Sequence, residues 1–143
     1  MITSKSNDLI KKCFQIKQKK YSRLYNLCFV ESIKIVKELS QKNLVEVILV
    51  VENKFDSVKD FSANKIEIIS SNIATYLSDA TTSDGVFAIC KIPNIDNPNY
   101  SRCLVLDRIQ DPNNLGAIIR SACAFGFDTI LSLNSVTKTI QYL

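Results

Sequence analysis

Residues Leu104 to Leu133 read L-V-L-D-R-I-Q-D-P-N-N-L-G-A-I-I-R-S-A-C-A-F-G-F-D-T-I-L-S-L, and this segment sets the architecture of the second half of the chain. The pattern predicts strands over Cys103–Leu106 and Thr129–Leu133, with a helix over Leu115–Phe125 between them. Such a βαβ unit has parallel strands. Because parallel sheets are usually covered on both faces, a single helix leaves apolar surface exposed, and we expect the chain to self-associate.

The loop from Asp107 to Gly116 is the part of this unit best suited to binding a ligand. Ligands of open α/β sheets gather at the carboxyl ends of the strands, where this loop lies. Pro112 holds the turn, Asn113 or Asn114 can cap the helix, and Gly116 allows the backbone to approach another group closely. The same residues are also ordinary turn formers, so both interpretations stand.

Arg120 is the only charged residue of the predicted helix Leu115–Phe125. A helix that is apolar nearly all round is expected to be buried, and a buried guanidinium needs a partner. One interpretation is a salt bridge to Asp107 or Asp111. The other is an arginine directed at a phosphate or ribose, where its fork of donors is useful.

Residues 1–91 predict a separate α/β layer, in which helices cover a small sheet. Helices follow from apolar residues at three- and four-residue spacing, and strands from short runs rich in Val and Ile. The predicted elements, in order, are a helix from Asp8 capped by Ser6 or Asn7, a strand over Leu27–Val30, a helix ending near Gln41, a strand over Leu44–Val51, a short helix over Val58–Phe61, a strand over Ile66–Ile69, a helix around Ile73–Leu77 and a strand over Val86–Lys91.

The segment Ile92 to Arg102 is rich in proline and asparagine, which is typical of a linker. We therefore predict a first domain over residues 1–92, a linker over residues 93–102 and a second domain over residues 103–143.

Composition excludes several classes of protein. The chain has no histidine, and its five cysteines are scattered, which argues against a disulfide framework, a metal site and histidine-based catalysis. The polar N-terminus predicts no secretory signal, and the longest apolar run is too short to span a membrane. A cytoplasmic protein is the expectation.

Positive charge is concentrated at the N-terminal end. Residues 1–42 carry ten Lys or Arg against three Asp or Glu, which is a net charge of +7 for this segment. The net charge of the whole chain is +4, so the remaining residues are negative on balance. Such a segment is typical of a surface that binds a polyanion, although a solvated helix face has the same composition.

The segment Leu104 to Leu133, with D-P-x-N-x-G-x-I-x-R in order, resembles the first signature motif of the SpoU (TrmH-like) RNA methyltransferases of the SPOUT superfamily. The resemblance continues upstream in Lys19–Tyr21, in Phe29–Leu39 and in Leu77–Ile89.

The resemblance implies a small ribosomal-protein-like α/β substrate-binding domain, followed by the first βαβ unit of an incomplete SPOUT (trefoil-knot) domain. It implies 2′-O-ribose methylation of rRNA or tRNA by a homodimer, with S-adenosylmethionine as methyl donor. Arg120 would be the catalytic arginine, Asn114 would order the same site, and Lys19, Lys20 and Arg23 would face RNA. The cofactor-binding residues, in the second and third family motifs, are expected beyond Leu143.

The sequence also departs from the family pattern. Ser32 stands where a glycine is usual, and Ser83-Asp84 replaces the commoner Pro-Gln. The expectation is a truncated methyltransferase without activity on its own. The alternative is a non-enzymatic RNA-binding remnant, in which residues 1–91 fold and the rest is vestigial.

Overall fold

The computed structural model describes residues 1–93, 101–133 and 141–142. The chain divides into two compact units, Met1–Pro93 and Asn94–Leu143. Most of the predicted linker, residues 94–100, lies outside the described residues.

The first unit is a mixed four-stranded sheet with helices on both faces. Its strands β1 to β4 lie in the order β1-β4-β2-β3, with β2 and β3 parallel and β4 antiparallel to both of its neighbours. The elements in chain order are α1 Asp8–Lys17, α2 Lys19–Tyr25, β1 Leu27–Glu31, α3 Ile33–Gln41, β2 Val45–Val51, a 3-10 helix Glu52–Ser57, β3 Lys65–Ile69, α4 Ser71–Leu77 and β4 Val86–Lys91.

The core of the first unit lies on both sides of β4. Phe87 and Ile89 pack into a cluster with α1 and α4, whereas Val86, Ala88 and Cys90 pack into a cluster with α3. All five of these residues are fully buried. A strand covered on both faces has no need of polar alternation, which explains the continuous apolar run V-F-A-I-C.

The second unit contains the predicted βαβ motif. It consists of β5 Cys103–Asp107, α5 Pro112–Ala124 and β6 Thr129–Leu133, with β5 and β6 parallel as predicted. A short strand that the sequence did not predict, β7 Gln141–Tyr142, pairs antiparallel with β6. The small core of this unit is formed by Leu106, Leu115, Ala122 and Ile130.

Three predictions about individual elements were wrong. The helix over Val58–Phe61 is absent, and the helical turn is instead the 3-10 helix Glu52–Ser57, while the Val58 side chain is fully buried in the core. The helical spacing of Leu9, Cys13, Ile16 and Lys20 predicts one helix that continues to Lys20, but the first helix breaks at Gln18, whose backbone is extended. Helix α5 begins at Pro112 rather than at Leu115. No glycine or proline marks the break at Gln18, so a local pattern could not reveal it.

Candidate active site and candidate nucleic-acid interface

The loop after β5 is held at both of its ends. Arg108 has a left-handed backbone with φ of 57°, and its N–H donates to the Leu133 carbonyl at 2.9 Å. At the other end the Asp111 carboxylate accepts from the Asn113 N–H at 2.8 Å, and Pro112 occupies the first helical position. The expected cap at Asn113 or Asn114 was therefore wrong. Asp111 is preferred over the two asparagines as the N-cap, because the residue after an N-cap needs no N–H and proline fits that position.

Arg120 is exposed on α5. The expectation that this helix is buried all round was wrong. Only one side of α5 packs against the sheet, and its buried residues are Leu115 and Ala122. Neither carboxylate considered as a partner holds the guanidinium in the described part of the chain. Asp107 is 3.6 Å from the Nε of Arg108, and Asp111 caps the helix. The Arg120 side chain is thus presented outward in an otherwise apolar segment.

Asn114 is also exposed but does not share the Arg120 face of α5. Helical geometry places Asn113, Gly116, Ala117 and Arg120 along one stripe, with Asn114 about 120° away around the axis. A Cβ built on Gly116 would meet nothing within 4 Å, so this stripe is open to a ligand. Sequence reasoning did not single out Arg108, whose positive φ no sequence pattern signals.

Helix α2 carries the three candidate RNA-binding residues, Lys19, Lys20 and Arg23, and all three are exposed. The helix has no buried residue at all. It is attached to the sheet through its C-terminal end. The Ser22 hydroxyl donates to the Leu27 carbonyl at 2.7 Å, and the Asn26 amide donates to the Ile92 carbonyl at 2.8 Å.

Two aromatic rings lie among these cations. Tyr21 and Tyr25 stack with their centroids 6.3 Å apart, and the Lys20 Nζ lies 5.7 Å from the centroid of Tyr21. Leu24 and Tyr25 are 67% and 46% exposed. Sequence reasoning missed Leu24 and Tyr25 as surface residues, because exposure of an apolar side chain is decided by packing and not by its type.

Two of the three upstream segments that resemble the family, Phe29–Leu39 and Leu77–Ile89, are in contact in the structure. Glu31 accepts hydrogen bonds from the Ser78 hydroxyl at 2.5 Å and the Asp79 N–H at 3.2 Å. Burial raises the pKa of Glu31, but hydrogen bonds from Ser78, Ser83 and the Asp79 N–H outweigh it, so the pKa lies below its usual value. These contacts fix the loop before β4 and are structural.

Asp84 joins the same two segments. Its carboxylate accepts from the Ile33 N–H at 2.8 Å and from the Val86 N–H at 3.1 Å, so it satisfies an orphan donor at the start of α3. Asp84, part of the Ser83-Asp84 pair that replaces the commoner Pro-Gln, therefore has a structural role in this chain.

The lining of one apolar cavity in the second unit does not fit S-adenosylmethionine. This cavity of about 300 Å³ is lined by Leu104, Ala117, Ile118, Ser121, Ala122, Phe125 and Phe127. It offers one side-chain hydroxyl, that of Ser121, and no carboxylate or amide to hold the ribose and the amino-acid group of the cofactor. None of the residues that line this cavity is therefore assigned a contact with the cofactor.

Over residues 1–93, 101–133 and 141–142 no three His, Cys, Asp or Glu side chains form a group that could hold a metal ion. No helix in the described part is both long and apolar enough to cross a membrane.

Comparison with known proteins connects these sites to a family. The model of the SpoU rRNA methylase family matches residues 101–141. Over 131 residues the chain is 26% identical to the 23S rRNA (guanosine(2553)-2′-O)-methyltransferase RlmP of Bacillus subtilis. The aligned region covers 91% of this chain and 53% of that protein. The chain thus spans about half the length of this relative.

Solved structures show the same α/β fold. The AdoMet-bound rRNA methyltransferase of Sinorhizobium meliloti matches with a TM-score of 0.74 and 21% identity, covering 95% of this chain and 55% of that one. A protein assigned to the TrmH family of RNA methyltransferases in Porphyromonas gingivalis matches with a TM-score of 0.77 and 24% identity, covering 96% and 55%. The Sinorhizobium meliloti structure contains AdoMet, and so does that of the SpoU methyltransferase AviRb of Streptomyces viridochromogenes, which matches with a TM-score of 0.71 and 15% identity, covering 88% of this chain and 52% of that one. Residues 101–141 thus match the SpoU rRNA methylase family, and over most of its length the chain is similar to RNA methyltransferases.

Proposed function

We propose that these 143 residues provide the RNA-binding domain and the ribose-activating residues of a cytoplasmic, homodimeric 2′-O-methyltransferase of rRNA or tRNA. Residues 1–92 form the RNA-binding domain, and residues 103–143 form part of the methyltransferase domain. The observation that carries the proposal is the exposed Arg120 on α5, inside the segment that matches the family model. The 2′-O-methyltransferase activity named for the Bacillus subtilis relative supports the reaction type.

Arg120 acts on the ribose through its charge. A guanidinium stays protonated at neutral pH, so it cannot take the proton of the 2′-hydroxyl. It donates hydrogen bonds to the hydroxyl oxygen and stabilises the negative charge that develops there as the hydroxyl proton passes to solvent water. S-adenosylmethionine, when bound, supplies the electrophilic methyl group. Asn114 orders the same site from an adjacent side of α5.

The 143-residue polypeptide is expected to bind RNA without methylating it, since the described cavity beside α5 lacks the polar groups that S-adenosylmethionine needs. Titration of the folded polypeptide with S-adenosylmethionine in a calorimeter, together with a methyl-transfer assay on rRNA, tests this expectation. Saturable one-to-one binding or 2′-O-methylation would show that the polypeptide is active by itself.

The role of Arg120 is measurable in a chimera, in which residues 1–143 replace the matching half of the Bacillus subtilis relative. If this chimera methylates rRNA, Arg120→Ala should lower the rate by about 100-fold or more, the usual effect of removing a charge-stabilising donor. Lys59→Ala, at an exposed lysine paired with Asp56 in the first unit, serves as the control and should leave the rate unchanged. A fully active Arg120→Ala chimera would exclude the assigned role.

The second candidate function is that of an RNA-binding protein without catalysis. The exposed Lys19, Lys20 and Arg23 on α2 favour RNA binding in either case. Binding should weaken with salt, and Lys19→Ala combined with Lys20→Ala should weaken it further. Tight binding that neither salt nor these changes affect would contradict an electrostatic RNA site. The methyl-transfer assay on the chimera separates the two functions.

A further inference from the structure

We propose that α2 is a stacking platform for unpaired nucleobases, so that the first unit binds a looped or single-stranded RNA segment in preference to a continuous duplex. This inference rests on the proposed RNA binding and specifies the class of RNA.

The composition of the α2 surface is the first observation. Its seven residues, K-K-Y-S-R-L-Y, include three cations and no acid, together with two tyrosines and a leucine. None of them is buried. Singly exposed apolar residues are common, but here exposed Leu24 and Tyr25 lie beside half-buried Tyr21 on one short cationic helix, which gives a combined apolar and basic surface. A surface that offers positive charge beside aromatic rings is complementary to a nucleic acid strand.

The geometry of the rings is the second observation. Tyr21 and Tyr25 lie one turn apart, with their planes 14° from parallel. Helical spacing places Leu24 next to this pair and Lys20 next to Leu24. A base can therefore stack on the outer side of Tyr25, with its edge against Leu24, while its phosphate reaches Lys20. Because the two rings already contact each other, part of the side-chain entropy is lost before a base binds.

The choice of unpaired RNA follows from the shape of the RNA helix. In an A-form duplex both faces of each base are covered by neighbouring bases, and the major groove is too narrow for side chains. Only loops, bulges and ends present a free base face to an aromatic ring. A purely electrostatic helix would bind duplex and loop alike, so the aromatic pair is the feature that discriminates between them.

The test compares two RNAs of equal length, one a hairpin with a large loop and the other a perfect duplex. Tyr25→Ala should weaken binding of the full 143-residue chain to the looped RNA by about 5- to 150-fold, the range for loss of one stacked base. It should not change the salt dependence or the binding of the duplex. Lys20→Ala should instead weaken binding to both RNAs and reduce the salt slope by about one phosphate contact.

Two matched variants keep the result interpretable. Tyr25→Phe retains the ring and should bind looped RNA like the wild type. Tyr76→Ala removes a tyrosine that is 41% exposed on α4, outside α2, and should also leave binding unchanged. Equal binding of loop and duplex, both unaffected by Tyr25→Ala, would overturn the stacking proposal while leaving electrostatic RNA binding intact. No salt-dependent binding to either RNA would overturn the proposed RNA site itself, and with it the platform.

Discussion

At the scale of single residues, Ser32 is the most strained position described. Its φ of 126° and ψ of 128° lie in a region that residues with a side chain rarely adopt, and its N–H is held by the Val86 carbonyl at 3.1 Å. The usual glycine at this point of the family motif has no such strain. Ser32→Gly should therefore stabilise the first unit by about 1–3 kcal/mol, measured as a higher midpoint of urea unfolding. Ser71→Gly, in the first turn of α4, should lower the midpoint. A lower midpoint for Ser32→Gly would contradict this reasoning.

The cysteines Cys28 and Cys90 face each other across β1 and β4. A hydrogen bond from the Cys90 thiol lowers the pKa of Cys28 to about 7, while the same bond and burial raise the pKa of Cys90. Cys28 should therefore react with iodoacetamide with a midpoint near pH 7. Cys90→Ala removes the donor, so the midpoint should move up, because burial then disfavours the thiolate. Mass spectrometry of labelled peptides measures both.

The exposed Cys123 provides the internal control for this labelling, since its rate should not depend on residue 90. Buried Cys13, whose pKa is raised by burial to about 12, should stay unlabelled in the folded chain. An unchanged profile for Cys28 in Cys90→Ala would show that the two thiols do not share a hydrogen bond.

At the scale of the element, α5 depends on caps at both ends. Asp111 caps its N-terminus, and Gly126, with φ of 71°, ends it. The Arg102 guanidinium donates to the Phe125 carbonyl at 3.0 Å, which places a positive charge at the negative end of the helix dipole. These contacts hold the helix that carries Arg120 in place against the sheet.

The two possible N-caps of α5 can be compared directly. Asp111→Ala should destabilise the second unit by about 1 kcal/mol, because the Asn113 N–H loses its acceptor. Asn113→Ala should be close to neutral. Hydrogen exchange of the α5 amides measures the difference. Faster exchange in Asn113→Ala than in Asp111→Ala would restore the cap expected from the sequence.

At the scale of the whole molecule, the second unit presents apolar surface on the sheet face opposite α5. Val105 is 54% exposed and Leu133 is 53% exposed, whereas the α5 side of the same strands is packed. The 143-residue polypeptide should self-associate at micromolar concentrations, as sedimentation can show. Val105→Lys should reduce the association. Ile35→Lys, at an exposed residue of the first unit, is the control. A polypeptide that stays monomeric at every concentration would contradict the prediction.

The sequence alone determined most of the elements and the resemblance to the SpoU family. The strands Val86–Lys91 and Thr129–Leu133 were predicted to the residue. The parallel pairing of β5 and β6 was also predicted correctly. These features depend on the order of apolar and polar neighbours along the chain, which is a local property. The family motif is equally local, since it is a run of consecutive residues around one turn.

The tertiary structure decided what each side chain faces. The break at Gln18, the strand order β1-β4-β2-β3 and the contact of Cys28 with Cys90 all depend on residues that are distant in sequence. The same holds for Arg120, whose charge is visible in the sequence. Its exposure follows from the way α5 lies on the sheet, with one stripe buried and the arginine outside it. Residue type sets the chemistry that a side chain can perform, but only long-range packing sets whether a ligand can reach it.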